Sequence, residues 1–217
     1  MPCAGCRRPY REGIPTAAQH TGKRYRSLWR KWSGRESRRE ENRERAGWQE
    51  VHCLADRLYL RIPEEYGRPS DEWMAARFPG IPRPQEVYSS RDGDRIITFN
   101  LLDKPLQEKQ VYPAVREIER ILGHVYPESV RIRARELRTE AGRIGWFSFV
   151  TGGISAYIIH CMFVLPVKDN MMLGSYHFPE GPMEADRKVF IEMLKSISIQ
   201  SDPLPSGKQG AIHGTEI

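Results

Sequence analysis

Two cysteines spaced C-x-x-C, Cys3 and Cys6, followed at once by Arg7 and Arg8, are the first residues in this chain that could do chemistry. Thiolates at that spacing hold two corners of a tetrahedral zinc site, and a closed site needs two more ligands. His20 is the nearest histidine, and His52 and Cys53 lie far along the chain, at neither ribbon nor finger spacing. The pair is therefore read as incidental, and no metal or other cofactor is expected. A second candidate is KRYRSLWRKW, where Tyr25, Trp29 and Trp32 interleave with Lys23, Arg24, Arg26, Arg30 and Lys31. Arginines neutralise phosphates and aromatic rings stack on exposed bases, so Arg24, Tyr25, Arg26, Trp29, Arg30, Lys31 and Trp32 form the set through which the chain would bind nucleic acid, or an acidic partner or membrane surface; a solvated charge run with no partner is the better reading.

Further on, His160 and Cys161 are neighbours on a strand-like run, so their side chains point to opposite faces and cannot act as a base and nucleophile pair. Asp169, His177, Glu180 and Asp186 gather around one turn, where general acid–base work is conceivable. No serine elbow, H-E-x-x-H or phosphate-cradling loop accompanies them. An acidic turn that caps the final helix is the better reading, and no catalytic residue is assigned. Trp146, Phe147 and Phe149 occupy neighbouring positions of one strand, so at least one faces away from whatever the others pack against. Either a helix covers each face, or an exposed aromatic patch, with Tyr176, marks a protein or peptide interface.

These residues sit on two unlike stretches of a 217-residue chain. Residues 1–50 hold 13 Lys and Arg against 6 Asp and Glu, a net of +7, and residues 51–217 hold 21 against 22, a net of −1. The basic character belongs to the first stretch, whose Pro, Gly and charge with few aliphatic residues predict a disordered arm. Within it, Gly34 to Gly47 pairs Glu36 with Arg39 and Glu41 with Arg45 at helical spacing, consistent with a marginal helix. No apolar core of a secretory signal is readable near the start, and four cysteines make no disulfide framework, so a reduced, cytoplasmic protein is expected. The most apolar run, Ile154 to Val167, is too short to cross a bilayer as a helix and reads as a buried strand.

From Val51 onward the periodicity is that of a folded domain, expected over 51–200. Leu58, Leu60 and Ile62 alternate with Arg57, Tyr59 and Arg61, a half-buried strand ended by Pro63. Ser70 is placed to cap a short helix whose buried face would be Trp73, Met74 and Phe78. Two strands, 85–90 and 95–102, flank a tight turn at Asp92-Gly93. Val111, Val115, Ile118, Leu122 and Val125 make the clearest helical stripe, with Pro113 in the first turn. Four strands then follow as an antiparallel meander, beginning at Val130, Ile144, Ala156 and Met171, and Ile159, Met162 and Val164 mark the third as central and covered on both faces. Phe190, Met193, Leu194 and Ile197 recur at helical spacing after Pro182, Glu184 and Asp186, so a second amphipathic helix closes the domain. Residues 201–217 read as a disordered tail.

The order is α+β: a mostly antiparallel sheet of six to seven strands flanked by two longer helices and one short one. In LYLRIPEEY, RIITFNLL, the helix from Gln107 to His124, and MMLGSYHFPEGPMEADRKVFIEMLKSI, this order resembles the PsbP-like fold. Proteins of that fold include the photosystem II extrinsic subunit, a Ran-binding nucleotide-release factor and chaperones associated with type VI effectors. The resemblance implies a non-enzymatic protein-binding or accessory module, with nucleic-acid association through the basic arm as the alternative.

Overall fold

The computed structural model describes residues 47–200, apart from 81–82, 153–156 and 181–182. Cys3, Cys6, the KRYRSLWRKW stretch, the helix expected over 34–47 except for Gly47, Pro182 and the 201–217 tail lie outside the described residues.

The first strand, β1 (Trp48–Cys53), begins ahead of Val51 and pairs antiparallel with β2 (Leu58–Pro63). Leu58, Leu60 and Ile62 are all buried, as their alternation demands. Between the strands Leu54, Ala55 and Asp56 adopt φ of 56°, 55° and 60° in succession, a left-handed run that costs L-residues about 1–2 kcal/mol each. Two tertiary contacts hold it: the Leu54 side chain is buried, and its N–H donates to Glu86 Oε1 at 2.9 Å. In α1 (Asp71–Arg77) the Ser70 hydroxyl accepts from the Trp73 N–H at 3.2 Å, and Asp71 and Glu72 fill the first turn. Trp73, Met74 and Phe78 are only part-buried, so this helix rides on the domain without entering its core.

β3 (Glu86–Ser89) and β4 (Ile96–Pro105) form the expected hairpin, with Gly93 at φ 73° in its turn. A 3-10 turn, Glu108–Gln110, leads into α2 (Val111–Val125), and the meander follows as β5 (Val130–Thr139), β6 (Gly142–Gly152), β7 (Tyr157–Val167) and β8 (Asn170–Pro179). The β7–β8 turn is the two-residue type in which Lys168 and Asp169 have φ of 49° and 62°. α3 (Met183–Lys195) and the two-residue β9 (Ser198–Ile199) end the domain.

Six strands make one antiparallel sheet in the order β3-β4-β8-β7-β6-β5, and β1-β2-β9 make a second, three-stranded one. Strand β7 lies inside the large sheet, with Ile159 and Phe163 buried on one face and Val164 on the other. The larger core fills the space between that first face, α3 and the small sheet, where the Phe190 ring meets Trp146 at 5.7 Å and Phe163 at 6.1 Å. The smaller core lies under α2, which packs on β5, β6 and β7. Of the stripe expected on α2, Val111 and Val115 are fully buried, Ile118 and Leu122 are partly so, and Val125 is 59% exposed. Burial of the stripe fades toward the C-terminal end of the helix.

Candidate functional site

Alternation along β6 sends Trp146 to the α3 side and Phe147 and Phe149 to the α2 side. Both faces are covered there. Trp146, Phe147, Phe149 and Tyr176 are consequently all buried, at 4% exposure or less, which corrects the expectation that they form an exposed interface patch.

On the α3 side, Tyr176 belongs to a sealed polar network. Its hydroxyl donates to Asp186 Oδ1 at 2.7 Å and meets the Tyr66 hydroxyl at 2.9 Å, and Arg95 grips the same carboxylate through Nε (2.7 Å) and a terminal nitrogen (3.1 Å). Asp186, read from the sequence as a helix-capping acid, is buried here and ties α3 to β4. Burial pushes both phenols above their ordinary pKa, the Asp186 carboxylate reinforces the shift, and the hydrogen bond from Arg95 to that carboxylate raises the guanidinium's. Neither phenol loses its proton near neutrality, and the guanidinium keeps its charge.

His177, next in sequence, points to the opposite face, so the His177–Asp186 pairing that acid–base chemistry would need is split by the sheet. On its own face it joins a row of polar side chains that crosses β6, β7, β8 and β4. The Thr151 hydroxyl meets His160 Nε2 at 2.8 Å, His160 Nδ1 meets His177 Nδ1 at 2.7 Å, His177 Nε2 meets Ser175 Oγ at 2.6 Å, and Ser175 meets Thr98 Oγ1 at 2.6 Å. Two Nδ1 atoms can bond only if one carries a proton and the other does not, so the row is satisfied with each imidazole neutral. Burial lowers the His160 pKa to about 4 and, with His160 and Arg77 nearby, the His177 pKa to about 3. The register produces the contact: His160 lies opposite His177 on one side and Phe149 on the other. Stacking continues the row outward, with Phe149 on His160 at 4.6 Å and Tyr126 on Phe149 at 5.6 Å.

Tyr126 brings this row to the surface at the C-terminal end of α2. There Ile121, Val125 and Tyr126 are 48%, 59% and 43% exposed, a cluster of large apolar side chains within six positions of the chain. Only Val125 belonged to the stripe seen in the sequence; Ile121, beside Leu122, widens that stripe and was the available signal. Elsewhere, burial pushes the Cys53 thiol up to about 12 and the Cys161 thiol well above its ordinary value, so neither is a ready nucleophile. Among the described residues no trio of His, Cys, Asp or Glu is placed to hold a metal, and no helix is long and apolar enough to cross a membrane.

No protein-family model matches the chain, and no curated protein matches it. Among solved structures, cyanobacterial PsbP (CyanoP) from Synechocystis superposes with a TM-score of 0.50 at 11% identity, covering 77% of this chain and 98% of that one. The fold is PsbP-like. A Bacteroides thetaiotaomicron protein gives a TM-score of 0.48 at 8% identity over 71% of this chain, which spans 49% of that protein's length. The Saccharomyces cerevisiae Ran-binding protein Mog1p gives 0.41 at 14% identity, covering 70% of this chain and 95% of that one. At these identities the PsbP-like likeness extends to the fold alone.

Proposed function

We propose that this PsbP-like chain is a non-enzymatic binding module that holds a protein partner at the C-terminal end of α2, in a reduced, cytoplasmic setting. The observation that carries the reading is the exposed cluster of Ile121, Val125 and Tyr126. Contiguous apolar surface is unfavourable in water, and when gathered on one spot it is the kind of surface that protein partners cover. Tyr126 is already fixed by its stack on buried Phe149, so little side-chain freedom would be lost on binding. The groups best suited to proton transfer are engaged in structural bonds: Asp186 with Arg95 and Tyr176, His160 with His177. Free, buried Cys53 and Cys161 suit a reducing compartment. The alternative, nucleic-acid binding through Arg24 to Trp32, rests on residues outside those described.

The test compares immobilised full chain with the double variant Ile121→Asp, Val125→Asp. A protein retained by the wild type and lost from the variant, with the variant's thermal midpoint unchanged, supports the reading. Identical retention by both removes the α2 end as the site.

A further inference from the structure

We propose that a groove beside the start of β1 receives the chain's own basic and aromatic segment, residues 23–32. The groove, about 510 Å³, opens between the β2–α1 connection and the β3–β4 turn, with Glu64, Glu65, Trp73, Arg91 and Asp92 among its walls. That volume falls in the range of about 300–1,000 Å³ that sites for compact ligands occupy, enough for one or two aromatic side chains.

Three observations select this occupant. The tether comes first: the Gly47 carbonyl accepts from the Glu64 N–H at 2.8 Å, so the preceding residues join the domain at the rim of the groove. Residues 33–46 link that point to Trp32, and a chain of this length reaches at most about 45 Å, enough to return Trp32 to the groove. A ligand so tethered meets its site at an effective concentration of order millimolar, so even a weak contact is populated.

Charge is the second. Glu64 and Glu65 are exposed and have no ion-pair partner among the described residues. Arg68, the cation that lines the groove beside them, is engaged by Glu86 at 2.6 Å and lies over the Tyr88 ring at 5.3 Å. Lys23, Arg24, Arg26, Arg30 and Lys31 supply the complement.

Aromatic surface is the third. Trp73 is only part-buried although its indole is packed against Gly93, leaving ring surface on the groove wall. Tyr25, Trp29 and Trp32 are the side chains that would use it, and Arg91 on the same wall is a cation within the groove that an indole face can meet.

Carbodiimide coupling of the full-length monomer, read by peptide mass spectrometry, tests the contact. Expected are intramolecular links from Lys23 or Lys31 to Glu64 or Glu65, falling several-fold in 0.5 M salt and in the variant Trp29→Ala, Trp32→Ala. In parallel, amide exchange at 91–93 should quicken several-fold in that variant and slow again when a synthetic peptide of residues 23–32 is added. Absence of the links, equal yield from the variant, or links confined to covalent dimers would overturn the proposal, the last by making a second copy the donor. Amide exchange indifferent to both the variant and the peptide would overturn it as well.

Discussion

The two faces of the large sheet are built from similar strands yet finished differently. On the α3 side, Phe190, Leu194 and the small sheet close over Trp146, Phe163 and Phe99, and the Arg95–Asp186–Tyr176–Tyr66 network ties its elements together, while Ser148 Oγ is buried without a hydrogen-bond partner. On the α2 side, one helix covers β5, β6 and β7, and beyond its reach the strands carry Thr98, Ser175, His177, His160 and Thr151. A sealed face uses polar groups to lock elements together, whereas a half-covered one satisfies its polar groups sideways along the sheet and leaves apolar helix surface exposed. Function is therefore sought on the second face, and stability on the first.

That contrast can be broken from either side. Asp186→Ala should destabilise most, by about 3 kcal/mol, because it removes the buried carboxylate that Arg95 and Tyr176 both bond, leaving the Arg95 guanidinium only Asp92 at 3.7 Å and the Tyr176 hydroxyl only Tyr66. Urea unfolding measures this, and a loss under about 1 kcal/mol would show that the network is dispensable.

Acid should act through the other face. His160 and His177 have folded pKa values lowered from 6.5 to about 4 and about 3, so between those limits the unfolded chain binds the extra protons. Stability contributed by the neutral pair is complete above pH 6.5 and is lost as pH falls toward 4, by about 3 kcal/mol from His160 alone. The two do not simply add, since the facing Nδ1 atoms already share one proton and a second would set two N–H groups against each other. Thermal midpoints from pH 7 to 4.5 should fall more for the wild type than for the variant His160→Gln, His177→Asn. Parallel curves would contradict this.

Gly174→Ala comes next, at about 1–3 kcal/mol. A Cβ there would run into the ring of buried Phe163, which would have to shift within the core. Smallest on stability, within about 0.5 kcal/mol, should be Ile121→Asp with Val125→Asp, because both positions face solvent. A large loss on calorimetry would mean that this end of α2 is packed, and would sink the proposed interface.

Much of the architecture was legible. The alternation of Leu58, Leu60 and Ile62, the Ser70 cap, the Asp92-Gly93 turn and the two amphipathic helices are local patterns, and each appears where its periodicity places it. β1 was not: in WQEVHC, Glu50 and His52 face solvent and the remaining positions are mixed in character, so its strand identity comes from pairing with β2. The candidate site was read less well. Of the two readings of Trp146, Phe147, Phe149 and Tyr176, the covered one holds and the exposed patch does not, while Ile121 and Tyr126, absent from the expected stripe, are outside.

What the sequence by itself determined is the set of elements and which side chains of each share a face, because period 2 and period 3.6 are properties of the local backbone. Which faces are covered was decided only by tertiary structure. Asp186 reads as a capping acid until Arg95, 91 positions away, is brought against it. His160 and His177 read as isolated residues until the β7–β8 register sets them opposite one another. Val125 looks like core until the fold leaves it exposed, for the extent of cover over a helix is a property of the elements it lies on and is written nowhere in its own periodicity.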